Sequence, residues 1–249
     1  SLEKDGVLFE DGVILKNSLR ISKVSDMSSL SAFKKGYFHV QDESSSLAVN
    51  ILSPKKGENN LDVCASPGGK TVLMAEIMEN EGSITARDIF DHRLQLIDDT
   101  AKRLGIDIIK TENFDAAELN EKDIEKYDRV LLDAPCSGFG LMRKKADIRL
   151  TKNGNDIDSL IKIQRQMLST VWQYVKKGGI LVYSTCTVSK KENQKNIEWF
   201  IENFPFETVD ISEYVKNISS PDSKNGYIQL FTNVHKTDGF FIAKLRRKE

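Results

Sequence analysis

The chain has 249 residues, 39% of them hydrophobic and 29% charged, with a formal net charge of −1, which is the composition of a globular protein with one substantial core. A uniformly basic nucleic-acid binder is not expected at this charge, and no run approaches the roughly 20 apolar residues that cross a bilayer. Cys64, Cys136 and Cys186 form no CxxC pair, and with only His39, His92 and His235 beside them they suggest neither a disulfide framework nor a metal site.

The opening SLEKDGVLFEDGVILKN is interrupted by charges and does not read as a signal peptide, so the cytoplasm is the default address. A first residue of Ser rather than Met reads as a trimmed product or a fragment of a longer protein. In the first 40 residues, VLF and VILK flank a DG turn and predict a small hairpin. Residues 1–40 are read as a small auxiliary segment, the remainder of an auxiliary domain, and 41–249 as the main domain.

Ser44 to Leu52 predicts a short helix leading into that domain. From about Asn60 onward, apolar runs alternate with amphipathic segments, the pattern of βα units around a parallel sheet. Leu61 to Cys64 is the first strand, followed by a glycine turn and the helical TVLMAEIME. SITARD, near Ser83 to Asp88, is the second strand. The next helix places Leu94, Ile97, Ala101 and Leu104 on one face and stops at Gly105.

A third strand begins over Ile106 to Lys110. Tyr127 to Asp133 is a continuous apolar run suited to a central strand covered on both faces. A long helix is expected from Asp158 to Val175, ended by Lys177-Gly178-Gly179 ahead of the strand ILVYS. Glu192 to Glu202 predicts another helix, with Pro205 in the turn beyond it. Gly226 to Phe231 and Gly239 to Leu245 form a hairpin-like final pair.

Asp62-Val63-Cys64-Ala65-Ser66-Pro67-Gly68-Gly69-Lys70-Thr71 lies where a strand hands over to a helix, the usual ligand crevice of open α/β sheets. It lacks the GxGxxG spacing of dinucleotide enzymes and the leading glycine of a P-loop, so Lys70 is weak evidence for phosphate chemistry. Asp88, at the end of the second strand, suits ribose hydroxyls, with a helix N-cap as the structural alternative. Asp115, after the third, suits an adenine-side polar group or a plain surface turn. Acidic strand ends fit an adenosyl sulfonium better than a pyrophosphate, which they would repel.

Cys136, in Asp133-Ala134-Pro135-Cys136-Ser137-Gly138-Phe139-Gly140, and Cys186, in Tyr183-Ser184-Thr185-Cys186-Thr187, each follow a strand candidate. Neighbouring strand ends bring both thiols to one crevice. Addition of a thiolate to carbon 6 of cytosine would make carbon 5 nucleophilic enough to take a methyl group, and cysteine suits that role. Asp133 could then hold the ring nitrogen and exocyclic amine, on a base presented outside its stack. The residues alone do not say which cysteine attacks.

These motifs, together with Gln41-Asp42-Glu43-Ser44-Ser45 and His235 with Thr237-Asp238-Gly239-Phe240-Phe241, resemble the RNA cytosine-5 methyltransferase family of the bacterial small-subunit methyltransferase B (Sun/Fmu) proteins and the eukaryotic nucleolar and NSUN proteins. The resemblance runs from about Tyr37 to the C-terminus. It implies a Rossmann-like class I methyltransferase fold: a mixed, mostly parallel seven-stranded sheet with helices on both faces and a small N-terminal appendage. It implies S-adenosyl-L-methionine as cofactor, Cys186 as nucleophile, Cys136 in product release, Asp133 against the target base and Lys70 orienting the site.

Cys64, Ala65, Ser66, Pro67, Gly68, Gly69 and Lys70, with Asp88, Arg93, Asp115 and Asp133, are thereby expected around the cofactor. Arg143, Lys144, Lys145 and Arg149 become RNA-binding candidates. Ala146 stands where the family usually has proline, Ser66 replaces the common alanine, and TCT stands for the frequent TCS. Cys64 is read as core or cofactor-wall packing, and His235 as a structural residue or an RNA contact. The implied substrate is RNA, 16S ribosomal RNA or a small-subunit assembly intermediate first and tRNA second, with no membrane or obligate protein partner. A noncatalytic RNA-binding assembly module is the reading from another class.

Overall fold

The computed structural model describes residues 2–145, 147 and 154–249, the last range without the side chains of residues 154 and 155. Its core is a twisted sheet in the order β5 (Ile109–Asn113), β4 (Ser83–Asp88), β3 (Asn59–Asp62), β6 (Tyr127–Asp133), β7 (Val175–Thr185), β10 (Phe240–Arg247) and β8 (Phe206–Thr208). The first five run parallel, and β10 is antiparallel to β7, β8 and β9 (Tyr227–Leu230). This is the Rossmann-like class I methyltransferase arrangement. The sheet has eight strands where seven were expected: the expected Gly226–Phe231 strand is β9, and the unexpected one is β8, which shares the outer edge of β10 with it.

Period-two alternation shows why helices cover both faces. Val130, Leu132, Leu181, Tyr183, Phe241 and Ala243 pack with Leu168, Val171, Ile197 and Phe200 of α5 (Gly154–Val171) and α6 (Gln194–Asn203). Leu131, Val182 and Ile242 face the other way, onto Leu47, Ile51 and Met74 of α2 (Glu43–Leu52) and α3 (Gly69–Ile77). On α4 (Asp91–Leu104), Leu94, Ile97 and Ala101 are buried as the spacing predicts, and Gly105 caps the helix at φ +71.

Several boundaries differ from the sequence reading. The third strand starts at Ile109 because Ile106 N–H closes back onto Ala101 O after the Gly105 cap, leaving residues 106–108 in the turn. The helix expected over Asp158 to Val175 runs from Gly154 to Val171, and Trp172–Tyr174 make one tighter turn. Lys177-Gly178-Gly179 do not precede the strand. They form an irregularity within β7, where pairing to β6 jumps from Tyr127–Val175 to Arg129–Ile180.

The N-terminal hairpin exists, but its second strand is not VILK. β1 (Leu8–Asp11) pairs with β2 (Leu19–Ser22), and a single turn of helix, α1 (Ser31–Lys34), follows. Residues 13–15 instead lay their backbone on one buried carboxylate. Glu43 accepts from Val13, Ile14 and Leu15 N–H at 2.9–3.0 Å, Ser18 Oγ at 2.8 Å and Arg20 Nε at 3.3 Å. Burial alone would raise its pKa, but these donors outweigh burial and hold it below the usual glutamate value.

Glu43→Gln turns an amide NH2 toward these donors and leaves some unpaired, at a cost of about 1–3 kcal/mol. The expected result in limited proteolysis is a first cut between residues 8 and 22, which wild-type protein resists under the same conditions.

Candidate active site

The carboxyl ends of β3, β4, β6 and β7 deliver the site. After β3 the chain turns through residues 63–68, with Gly68 at φ +103 packed so tightly on α4 that a Cβ there would lie 3.1 Å from Ile97. Gly69 opens α3 against the Gln41 side chain, 3.3 Å from where its Cβ would be. Lys70, one residue further, reaches across to Asp133 at the end of β6, Nζ to Oδ2 2.6 Å. Ser184 Oγ donates to the other oxygen of Asp133 at 2.7 Å. Burial would lower the Lys70 pKa, but the Asp133 carboxylate holds it above its ordinary value, and the ammonium stands 5.5 Å from the Phe240 ring centroid.

Both cysteines singled out in the sequence meet at this edge. Cys186 directly follows β7, Cys136 lies three residues beyond β6, and their sulfurs are 3.2 Å apart. The two thiols are hydrogen-bonded to each other. That contact first, and Lys70 nearby, lower the pKa of Cys186 against the opposing pull of burial and Asp133. The same contact, with burial, raises Cys136 well above a free thiol. The contact thus drives the two thiols apart in acidity, Cys186 toward the more acidic side and Cys136 toward the less. Cys64 is different: burial pushes its thiol far up, and it packs on the core under the loop, as expected of wall material.

Of the residues expected around the cofactor, Asp88 ends β4 and Arg93 lies on α4, where its carbonyl meets Ser66 Oγ of the loop at 3.5 Å. Asp88 is nearly buried and accepts from Phe90 N–H at 3.1 Å, and Phe90, not Asp88, is the N-cap of α4. Arg93 lies over the Phe90 ring at 4.6 Å, with Nη1 3.9 Å from Asp88. Asp115 is exposed and accepts from Ala117 N–H, the surface-turn geometry, at the mouth of the crevice after β5.

Asp62 was quoted in the loop motif but given no part there. Its carboxylate is 1% exposed, Thr71 Oγ1 donates to Oδ2 at 2.7 Å, and Oδ1 has no partner. Burial pushes its pKa up to about 7. A carboxylate closing an otherwise apolar strand just ahead of a glycine loop was the available signal. An orphaned buried acceptor and acidic strand ends beside the Gly68-Gly69 turn together fit S-adenosyl-L-methionine, a cation bearing donor groups.

Of the basic candidates, Arg143 and Lys145 are exposed, and Arg149 lies outside the described residues, as does Ala146. Lys144 is engaged elsewhere, bridging Asp42 at 3.0 Å and Asp238 at 2.7 Å. It thereby pins the segment after Cys136 to the start of α2 and to the residue before Gly239. Arg143 and Lys144 border a cleft of about 1340 Å³ between the N-terminal segment and α3, with Lys16, Arg20 and Lys236 also on its walls. His235 is buried, with Nδ1 accepting from Phe231 N–H and Nε2 facing Ser219 O, which is a structural placement.

The fold and the two thiols at adjacent strand ends define a class I methyltransferase. The profile of the family described as 16S rRNA methyltransferase RsmB/F matches residues 49–246, and the chain belongs to that family. It is 40% identical over 247 residues to the probable ribosomal RNA small subunit methyltransferase B of Bacillus subtilis (strain 168), covering 98% of this chain and 55% of that protein. It is 36% identical over 237 residues to the tRNA (cytosine(72)-C(5))-methyltransferase of Pyrococcus horikoshii, covering 95% and 59%. The solved structure of NSun6 from Pyrococcus horikoshii with SFG superposes with a TM-score of 0.82 at 33% identity, covering 93% of this chain and 60% of that one. The chain spans little more than half the length of these curated relatives.

Proposed function

We propose that this protein transfers a methyl group from S-adenosyl-L-methionine to carbon 5 of cytosine in RNA, with small-subunit ribosomal RNA as the leading substrate. The observation that supports this most is the pair of sulfurs 3.2 Å apart, one lowered and one raised in pKa, beside the Lys70–Asp133 pair.

In this reading Cys186 adds as thiolate to carbon 6 of a cytosine turned out of its stack, and the ring electrons move toward N3. Asp133 accepts from the exocyclic amine. Carrying a proton relayed from the Lys70 ammonium, it also donates to N3 as charge builds there. The cofactor, held by the 64–70 loop, Asp62 and Asp88, supplies an electrophilic methyl group. Cys136, once its own proton has passed to solvent, then takes the carbon-5 proton as thiolate, the freed electron pair restores the carbon 5–carbon 6 double bond, and the Cys186–carbon-6 bond breaks with Cys186 leaving as thiolate. Arg143 and Lys145, with the basic walls of the neighbouring cleft, are proposed to hold phosphates, while Lys144 braces the site.

Labelled methyl from S-adenosyl-L-methionine, offered to RNA fractions of a methylation-deficient host, is expected in 5-methylcytidine of small-subunit ribosomal RNA. Label confined to tRNA, the substrate in the name of one relative, would move the target. No incorporation into any fraction by protein that binds the cofactor would overturn the reading in favour of a binding role.

A further inference from the structure

The segment after β7 reads in sequence as the polar start of a helix, yet Glu192 and Asn193 are fully buried, ahead of α6. The backbone of Glu192 is fixed first: its carbonyl accepts from Tyr183 Oη at 2.8 Å and Asn196 Nδ2 at 3.0 Å. Its carboxylate then points under both cysteine loops. Oε2 accepts from Ser137 N–H at 2.9 Å and Gln164 Nε2 at 3.0 Å, and Oε1 accepts from Ser137 Oγ at 2.6 Å.

Gln164 also donates to Pro135 O at 2.9 Å, so the residues on both sides of Cys136 are held through one carboxylate and its partner. The Cys186 side is tied in by hydroxyls. Thr187 Oγ1 lies 2.8 Å from Ser137 Oγ and receives Ser189 N–H, giving a one-way chain from Ser189 through Thr187 and Ser137 to Glu192. Asn193 completes the grip, accepting from Thr185 Oγ1 at 2.6 Å and donating to Thr187 O at 3.0 Å.

We infer that Glu192 is a positioning residue that sets the distance between the two thiols, an inference that rests on the thiol chemistry proposed above. It touches neither sulfur. It clamps Ser137 and Thr187, the residues that directly follow each cysteine. A carboxylate is required because the Ser137 N–H, Ser137 O–H and Gln164 N–H all arrive as donors, and an amide would present an NH2 to one of them. The threonine of the TCT motif thereby gains a role, as the hydroxyl that joins the second cysteine loop to the clamp.

The test reads the thiols directly, without RNA or methyl donor, so it stands or falls separately from the methyl-transfer reading. In the full chain, alkylation of Cys186 by iodoacetamide is followed against pH by peptide mass spectrometry, with Cys64 as internal reference. Besides Cys136, the charged groups at Cys186 are Lys70 on α3 and Asp133 at the end of β6, and both remain in the variants.

In Glu192→Gln the clamp loosens and the Cys136 hydrogen bond weakens. The Cys186 profile is then expected to move to higher pH by roughly one unit, slowing alkylation near neutrality about tenfold. A residue that only fills the core would leave the profile in place, so an unshifted profile in a variant that still melts cooperatively overturns the inference. Should Glu192→Gln not fold, Thr187→Val and Ser137→Ala cut only the hydroxyl links. Each is expected to shift the profile the same way by a smaller amount, and unshifted profiles in both overturn it equally.

Discussion

Cys186→Ala is expected to abolish methyl transfer, by on the order of a thousandfold or more, because it removes the atom proposed to activate the ring. The fold should survive: the side chain lies just past the carboxyl end of β7, and alanine is smaller. Cys136→Ala should behave oppositely. The attacking sulfur and its support by Lys70 remain, so the bond to carbon 6 still forms, but its release is slowed and a covalent protein–RNA species accumulates. Denaturing electrophoresis with labelled RNA separates the cases, as a shifted band in Cys136→Ala and none in Cys186→Ala. Normal turnover in Cys186→Ala with no adduct in Cys136→Ala would reverse the assignment.

A second large effect is expected at a residue with no functional group. Gly140 N–H donates to Cys186 O at 3.0 Å, and Gly140 O accepts from Gly239 N–H at 3.0 Å, so one residue bridges the second cysteine and the start of β10. A Cβ on Gly140 would fall 1.8 Å from Gly239 O and 2.8 Å from Cys186 O, both backbone atoms that cannot swing aside. Gly140→Ala must therefore push the Cys136 segment off the sheet, at about 1–3 kcal/mol of stability. A displacement near 1 Å at the thiols costs activity about a hundredfold. Gly105→Ala is the comparison: its Cβ meets open space, its cost is that of a left-handed backbone alone, and it should turn over normally. Thermal melts and methyl-transfer rates of the two variants, measured side by side, check the contrast.

These residues also show what was readable in the chain before folding. Tyr127 to Asp133 and Ser83 to Asp88 were legible to the residue, because a fully covered strand declares itself locally. The convergence of Cys136 and Cys186 followed from strand ends alone. Where a segment's partner is distant, the reading failed. VILK has the alternation of a strand, but its N–H groups go to Glu43 and not to a neighbouring strand. Lys144 reads in sequence as one more RNA-binding candidate in a basic run, and only the approach of Asp42 and Asp238 engages it. Glu192 lies in SKKENQ, where nothing local separates a buried acceptor from a surface charge. The sequence cues that exist are short-ranged, and the VILK segment, Lys144 and Glu192 are defined by contacts across the fold.

The bridge built on Lys144 bears on how the protein comes to be reactive. Asp238 N–H reaches Asp42 across a sequence separation of 196 residues, and Gly140 joins Cys186 to Gly239 only once β10 has docked. Contacts of such span form slowly, since a long loop must close before any of them is made. With β10 undocked the Gly140–Gly239 and Lys144–Asp238 links are unmade, so the loop that carries Cys136 lacks two of its ties. Part of the tether that seats one thiol beside the other thus comes from a strand that carries neither.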